Sequence, residues 1–217
     1  MRFIHRLPWR LLPVRPSREG GGMTSPALEA WRSSRLPRLD RLLAAHPNSA
    51  GSSTDPAVSD EWSQALVLRL ASEFQGFCRD LHDDAVQAIV TAVTPPVSPL
   101  RVMLLEGLTV GRGLDRFSAD PRTIKDDFRR LGLDLWVLVG TGRAESTSVW
   151  REGLRLLHRA RSGVVHDDAE AIEAVRGEGW PIQLDTVWRW RNLLDEMATA
   201  MDHGLGEDIA EQIRRSR

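Results

Sequence analysis

The chain has 217 residues, 41% of them hydrophobic, and a formal net charge of −1. That length fits one domain with an extension or two very small ones, and the near-zero charge excludes a global basic field of the kind that draws in nucleic acid. Cys78 is the only cysteine, which excludes an intrachain disulfide or a cysteine-based zinc site and favours a reducing, cytoplasmic compartment.

Residues 1–22 (MRFIHRLPWRLLPVRPSREGGG) contain three prolines, five arginines and a glycine run. Their apolar patches are too broken for a signal-peptide core, so they read as a disordered extension. A purine-rich ribosome-binding sequence translates readily into Arg, Glu and Gly. Arg18-Glu-Gly-Gly-Gly just before Met23 therefore reads as such a site, with Met23 as the true start.

Residues 23–46 form an N-terminal helical segment. Ser25 suits the cap and Pro26 the first turn. Leu28, Trp31, Leu39, Leu42 and Leu43 can share a face, and Pro37 is expected to kink or break the helix. Residues 47–58, rich in Ser, Pro and Gly, read as a linker. A helical domain is expected over 59–204. Its first helix, capped by Ser59 or Asp60, keeps a 3.6-residue apolar period through Leu66, Leu70, Phe74, Phe77, Leu81 and Val86. Pro95 and Pro96 end it near Val93.

A further helix is expected over 99–117, weakened by Gly107, Gly111 and Gly113. Ser118 or Asp120 caps the next, with Pro121 at its first position and Gly132 at its end. Leu131 to Val139 is the most apolar stretch, far short of the roughly 18 residues of a membrane span. A turn at Gly140–Gly142 precedes a helix from about Ser146 to the segment RLLHRARSGVVHDD (155–168). A polar stretch with Gly177, Gly179 and Pro181 follows. Asp185 caps a last helix to about His203, and 205–217 read as a tail. The pattern is all-α, with no strand alternation of useful length.

Arg161 and His166 are the pair with the clearest chemical potential. A histidine can move a proton near neutral pH. An arginine is permanently charged and forked, so it can clamp a phosphate and stabilise its transition state. Five positions along a helix turn the two side chains about 140° apart, so they would flank a groove or face a second copy, with Gly163 allowing close backbone approach. In an Arg-rich chain the same pattern also arises from two ordinary surface residues. Arg151, Arg155 and Arg159 recur every four residues, with His158 beside them. This is a phosphate track or a solvated basic face.

His82-Asp83-Asp84 and His166-Asp167-Asp168, with His46, invite a reading as a metal-dependent phosphohydrolase of the HD type, whose ligands are His and Asp on helices. Asp126 and Asp127 read as the acidic first turn of a helix rather than a catalytic pair. Trp136, Trp150, Trp188 and Trp190 read as core or interface anchors, Cys78 as buried, and no glycine-rich phosphate loop is present.

Five segments in order, ALEAWRSSRLPRLDRLLAAH, LVLRLASEFQGFCRDLHDDA, IKDDFRRLGLDLW, LLHRARSGVVHDD and GWPIQLDTVWRWRNLLDEMATAMD, cover about residues 27–202. Together they resemble the HEPN superfamily, closest to its RiboL-PSP-HEPN type. The resemblance implies an HEPN-like helical bundle with an additional N-terminal helix. It also implies a metal-independent endoribonuclease without cofactor, acting as a toxin or as an antiviral or stress effector. The family's catalytic pattern is an Arg, a polar residue and a His four to six residues after the Arg. Arg161, Ser162 and His166 match it, with Ser162 where Asn is most common. By the same resemblance Glu73 or Asp80 orients Arg161; on this reading the track of Arg151, Arg155 and Arg159, with His158, is where RNA is expected to bind. The implied partners are RNA, a second copy in a homodimer, and an antitoxin or a nucleotidyltransferase. Some relatives are non-catalytic modules that bind RNA, a nucleotide or a partner protein.

Overall fold

The computed structural model describes residues 24–46 and 55–215, and every regular element among them is helical. In chain order these are α1 (Pro26–Ala30), a π-helical turn (Trp31–Arg35), α2 (Leu36–Ala44), α3 (Pro56–Val93) and α4 (Pro99–Thr109). A short 3-10 turn (Gly113–Asp115) leads to α5 (Pro121–Arg129), α6 (Leu135–Gly140), α7 (Ala144–His166), α8 (Ala169–Gly177) and α9 (Leu184–Arg215). The expectations for residues 1–22, including the start at Met23, lie outside the described residues, as do 47–54.

The long helices α3 and α9 pack on each other, and α7 packs on both. Their apolar faces, with those of α1 and α2, join in one core. Trp31 sits at its centre, 5.9 Å from the Phe74 ring and 5.5 Å from that of Phe77. Its indole N–H reaches Asp195 on α9 at 3.2 Å. The N-terminal helices are tied down by polar contacts as well. Asp84 accepts the Ala27 N–H at 2.8 Å. Arg191 grips Asp40 through Nε and a terminal nitrogen at 2.8 and 2.9 Å, a two-pronged, charge-assisted pair.

Pro37 neither breaks nor ends the N-terminal helix. A proline ring collides with the carbonyl four residues back. Here the turn before it widens to π geometry, with the Leu36 N–H bonded to the Trp31 carbonyl, and the chain continues into α2.

Other boundaries differ from the sequence pattern for local reasons. Asp55, not Ser59 or Asp60, caps α3, accepting the Ala57 N–H at 2.9 Å, so the linker stops short of residues 56–58. The helix expected over 99–117 ends at Thr109, because Gly111 turns the backbone with φ +73. The turn that follows is held by Asp127, whose two carboxylate oxygens accept the Gly113 and Leu114 N–H groups at 2.7 Å each. Asp127 is buried, and Asp120 caps α5 as expected.

α7 begins at Ala144 rather than Ser146, and α9 at Leu184, which places Asp185 inside its first turn. The stretch after His166 forms α8, opened by Asp168, which accepts the Ala171 N–H at 3.0 Å. The tail expected over 205–217 is helical to Arg215. The helix runs through Gly204 and Gly206, with Leu205 and Ile209 buried. Gly204 faces the Leu138–Val139 backbone of α6, where a Cβ would stand 3.4 Å from the Leu138 carbonyl carbon, in ordinary contact.

Candidate functional site

α7 carries the candidate chemistry, and its amphipathic pattern decides which side chains reach solvent. Trp150, Leu154, Leu157 and Ala160 are buried against the bundle. Ser148, Arg151, Arg155, Arg159, Ser162 and His166 are all exposed. Their spacings of three or four residues place them along one face. Sequence reading picked out the three arginines but not that Ser162 and His166 extend the same stripe; the 3.6-residue period was the available signal.

Arg161 lies off this stripe. It is half buried, and it makes no hydrogen bond or ion pair with a carboxylate among the described residues. His166 is exposed at the last position of α7. Asp167 closes the helix in the left-handed region, φ +53, a conformation that aspartate tolerates better than most residues. Thus Arg161, Ser162 and His166 lie at one end of one helix, with the Arg161 and His166 side chains about 140° apart around its axis. The close approach that Gly163 allows is used within the chain. A Cβ there would meet Ile172 at 2.9 Å and Ala171 and the Asp168 carbonyl at 3.3 Å, so α8 already occupies that side.

The neighbouring groups differ from the sequence reading in two places. His158 is not on the exposed stripe. It is 8% exposed, its ring near the Ala119 carbonyl but without a hydrogen bond of good geometry at either nitrogen. Burial pushes its pKa down to about 4. The nearby Asp120 carboxylate opposes this and the Arg161 charge adds to it. His158 is therefore neutral at pH 7 and cannot serve as a phosphate contact.

Glu73 does not orient Arg161. It is buried and accepts hydrogen bonds from Arg35 at 2.8 Å, Arg38 at 2.9 Å and Arg69. Asp80, the other candidate, binds Arg35 at 2.7 Å. Burial alone would raise the Glu73 pKa, but the hydrogen bonds from Arg35 and Arg38 and the Arg69 charge outweigh it and hold it below the ordinary value.

Two stripe arginines have acidic partners. Arg155 donates to Glu152 at 2.9 Å and to Glu178 at 3.0 Å, and Arg159 stands 3.9 Å from Glu178. These pairs are more than 40% exposed on both sides, where an ion pair contributes about 0–1 kcal/mol and a competing phosphate can displace it. Arg151 lies over the Trp136 ring at 5.6 Å.

His46, His82, Asp83 and Asp84 of the metal reading are engaged elsewhere. His46 meets the Ser63 hydroxyl at 3.1 Å, and His82 lies 3.3 Å from the Asp127 carbonyl. Asp83 holds Arg112 at 2.6 Å, while Asp84 caps α1. Among the described residues no three His, Cys, Asp or Glu side chains form a group able to hold a metal ion. Cys78 is buried, its thiol pushed well above its usual pKa by burial and by Asp80. That environment suits packing rather than nucleophilic attack. Among the described residues no helix is long and apolar enough to cross a membrane.

No protein family profile, no curated protein and no solved structure matches this chain.

Proposed function

We propose that the exposed end of α7 is a metal-independent RNA-cleaving centre of the HEPN type, with Arg161 and His166 as its catalytic residues. The observation that carries this reading is the company of three groups at one helix end. A half-buried arginine without a carboxylate partner, a serine hydroxyl and an exposed imidazole sit within six residues. In this reaction the RNA 2′-hydroxyl attacks the adjacent phosphorus. The 5′-oxygen leaves, giving a 2′,3′-cyclic phosphate and a 5′-hydroxyl. His166 takes the proton from the 2′-hydroxyl or gives one to the leaving oxygen. Arg161 holds the phosphate and stabilises the charge that builds on it, and Ser162 positions the scissile group. The 140° separation calls for a second copy, so that two helix ends line one cleft across a two-fold axis. A toxin or an antiviral or stress effector, held by an antitoxin or paired with a nucleotidyltransferase, is the setting this activity fits.

The same separation also supports a second reading. A lone copy presents the two groups on different sides of the helix, and a non-catalytic module binding RNA, a nucleotide or a protein would present the same surface. Incubating RNA with purified protein in EDTA, beside Arg161→Ala and His166→Ala, tests the two. Cleavage by the wild type alone supports the first reading. Binding without cleavage at any protein concentration supports the second.

A further inference from the structure

An open cleft lies between α5 and α7. It is about 800 Å³ in volume, and lined by Arg122, Lys125 and Asp126 from α5 and Ser148, Arg151 and Arg155 from α7. Lys125 is the only lysine of the chain. It is half buried here and has no carboxylate partner among the described residues.

The charges in the cleft divide into engaged and available groups. Asp120, at the cleft's edge, is engaged in capping α5: one oxygen accepts the Arg122 and Thr123 N–H groups at 2.8 and 2.9 Å. Glu152 is engaged by Arg155. Asp126 stands 3.7 Å from Arg122 on an exposed surface, a weak pair. Lys125 and Arg151 remain as two cations on opposite walls, Arg151 steadied by the Trp136 ring. The Ser148 hydroxyl adds a neutral donor beside them. Such a set suits a chain of singly charged phosphates.

The cleft also has a direction. Its α7 wall is the start of the exposed stripe, which continues through Arg159 and Ser162 to His166. From Ser148 to His166 the stripe runs about 27 Å along the helix axis. We infer that the α5–α7 cleft and this stripe form a track for the sugar–phosphate backbone of single-stranded RNA, with Lys125 and Arg151 as its entry contacts. The inference rests on the reading of the α7 end as the cleaving centre and extends it to how the substrate lies. A single strand can follow the cleft and stripe phosphate by phosphate.

The test uses the whole protein and a fluorescent single-stranded RNA of roughly twelve nucleotides made with 2′-O-methyl sugars, which cannot attack their own phosphates. Affinity is read by anisotropy in EDTA over a range of salt. Lys125→Gln and Arg151→Gln are each expected to weaken binding about five- to tenfold and to lower the salt slope by about 0.7. Arg214→Gln, an exposed change on α9, should leave both unchanged. Thermal melts confirm that each variant is folded. Equal affinity for wild type and both variants, equal weakening by Arg214→Gln, or no binding by any of them would overturn the track. Cleavage of the ordinary 2′-hydroxyl strand is followed in parallel. Cleavage by the wild type with unaltered binding and cutting in the variants removes the track and leaves the catalytic reading. Loss of binding in the variants of a wild type that never cuts removes the catalytic reading and leaves the track.

Discussion

Arg159 and His166, seven residues apart, lie within about 20° of each other around α7 and are both exposed. Arg161 is turned about 140° from His166 and is half buried. The arginine that shares a face with the histidine is thus not the one in the catalytic pattern. This geometry makes a single copy a poor place for an Arg161–His166 site and gives the proposed dimer a testable role.

If each site takes Arg161 from one copy and His166 from the other, two inactive variants should complement. Arg161→Ala mixed equally with His166→Ala, after exchange of subunits, should recover about a quarter of the wild-type cleavage rate. Half the dimers are then mixed, and each mixed dimer holds one intact site. No recovery, with exchange verified by differently tagged copies, would mean that the pair acts within one chain.

His158 gives a pH dependence with a definite sign. Its pKa falls from 6.5 in the unfolded chain to about 4 in the folded one, so between those values the unfolded state binds more protons. Stability therefore falls as pH drops through this window, by about 3 kcal/mol in all from this group. The pKa of His82 is also lowered, by burial first and then by Arg112, so it adds a contribution of the same sign. The comparison that isolates His158 is urea unfolding of His158→Leu beside the wild type from pH 7.5 to 4. The variant should lose less stability on acidification. Parallel curves would contradict the account.

Glu73→Gln should destabilise the fold without touching the site. It removes the carboxylate that three arginines converge on. The expected cost is about 2–3 kcal/mol, near the low end for breaking a buried ion pair because the arginines are partly exposed. In the wild type this contribution is complete above the ordinary carboxylate pKa and is lost as pH falls through the depressed folded value. Cleavage per folded molecule should stay at the wild-type level. A specific loss of turnover in the folded variant would restore a role for Glu73 in orienting Arg161.

Gly163 separates packing from catalysis at the motif itself. Gly163→Val would drive a side chain into Ile172 and the Asp168 carbonyl, at a cost of about 1–3 kcal/mol. It should disorder α8 first. Hydrogen exchange would read this as faster exchange in residues 169–177 with α3 unchanged. Uniform protection across α8 in the variant would show that α8 does not rest on Gly163.

The helical class, the long α3 and the proline-marked starts of α5 and α1 were legible because apolar period and caps agree there. Asp120 with Pro121, and Ser25 with Pro26, are both used as written. Asp55 was hidden because Pro56 also fits a linker. The end of α9 was hidden because the burial of Leu205 and Ile209, which carries the helix past Gly204 and Gly206, depends on neighbouring helices. At the site, the exposure of His166 and Ser162 follows from their period on α7. The burial of His158 does not stand out locally, since it depends on where the Ala119–Asp120 segment crosses α7. The partners of Glu73 come from the π-helical turn, from α2 and from its own helix: Arg35 and Arg38, 38 and 35 residues away, are brought in by tertiary packing, and Arg69 makes one ordinary i,i+4 pair.

The most direct measurement is the chemistry of the ends. A labelled single-stranded RNA would be incubated with the protein in EDTA, and the products assayed for their termini. The account predicts fragments with 2′,3′-cyclic phosphate and 5′-hydroxyl ends, absent with His166→Ala and with Arg161→Ala. Products bearing 3′-hydroxyl and 5′-phosphate ends, or undiminished cutting by His166→Ala, would contradict it.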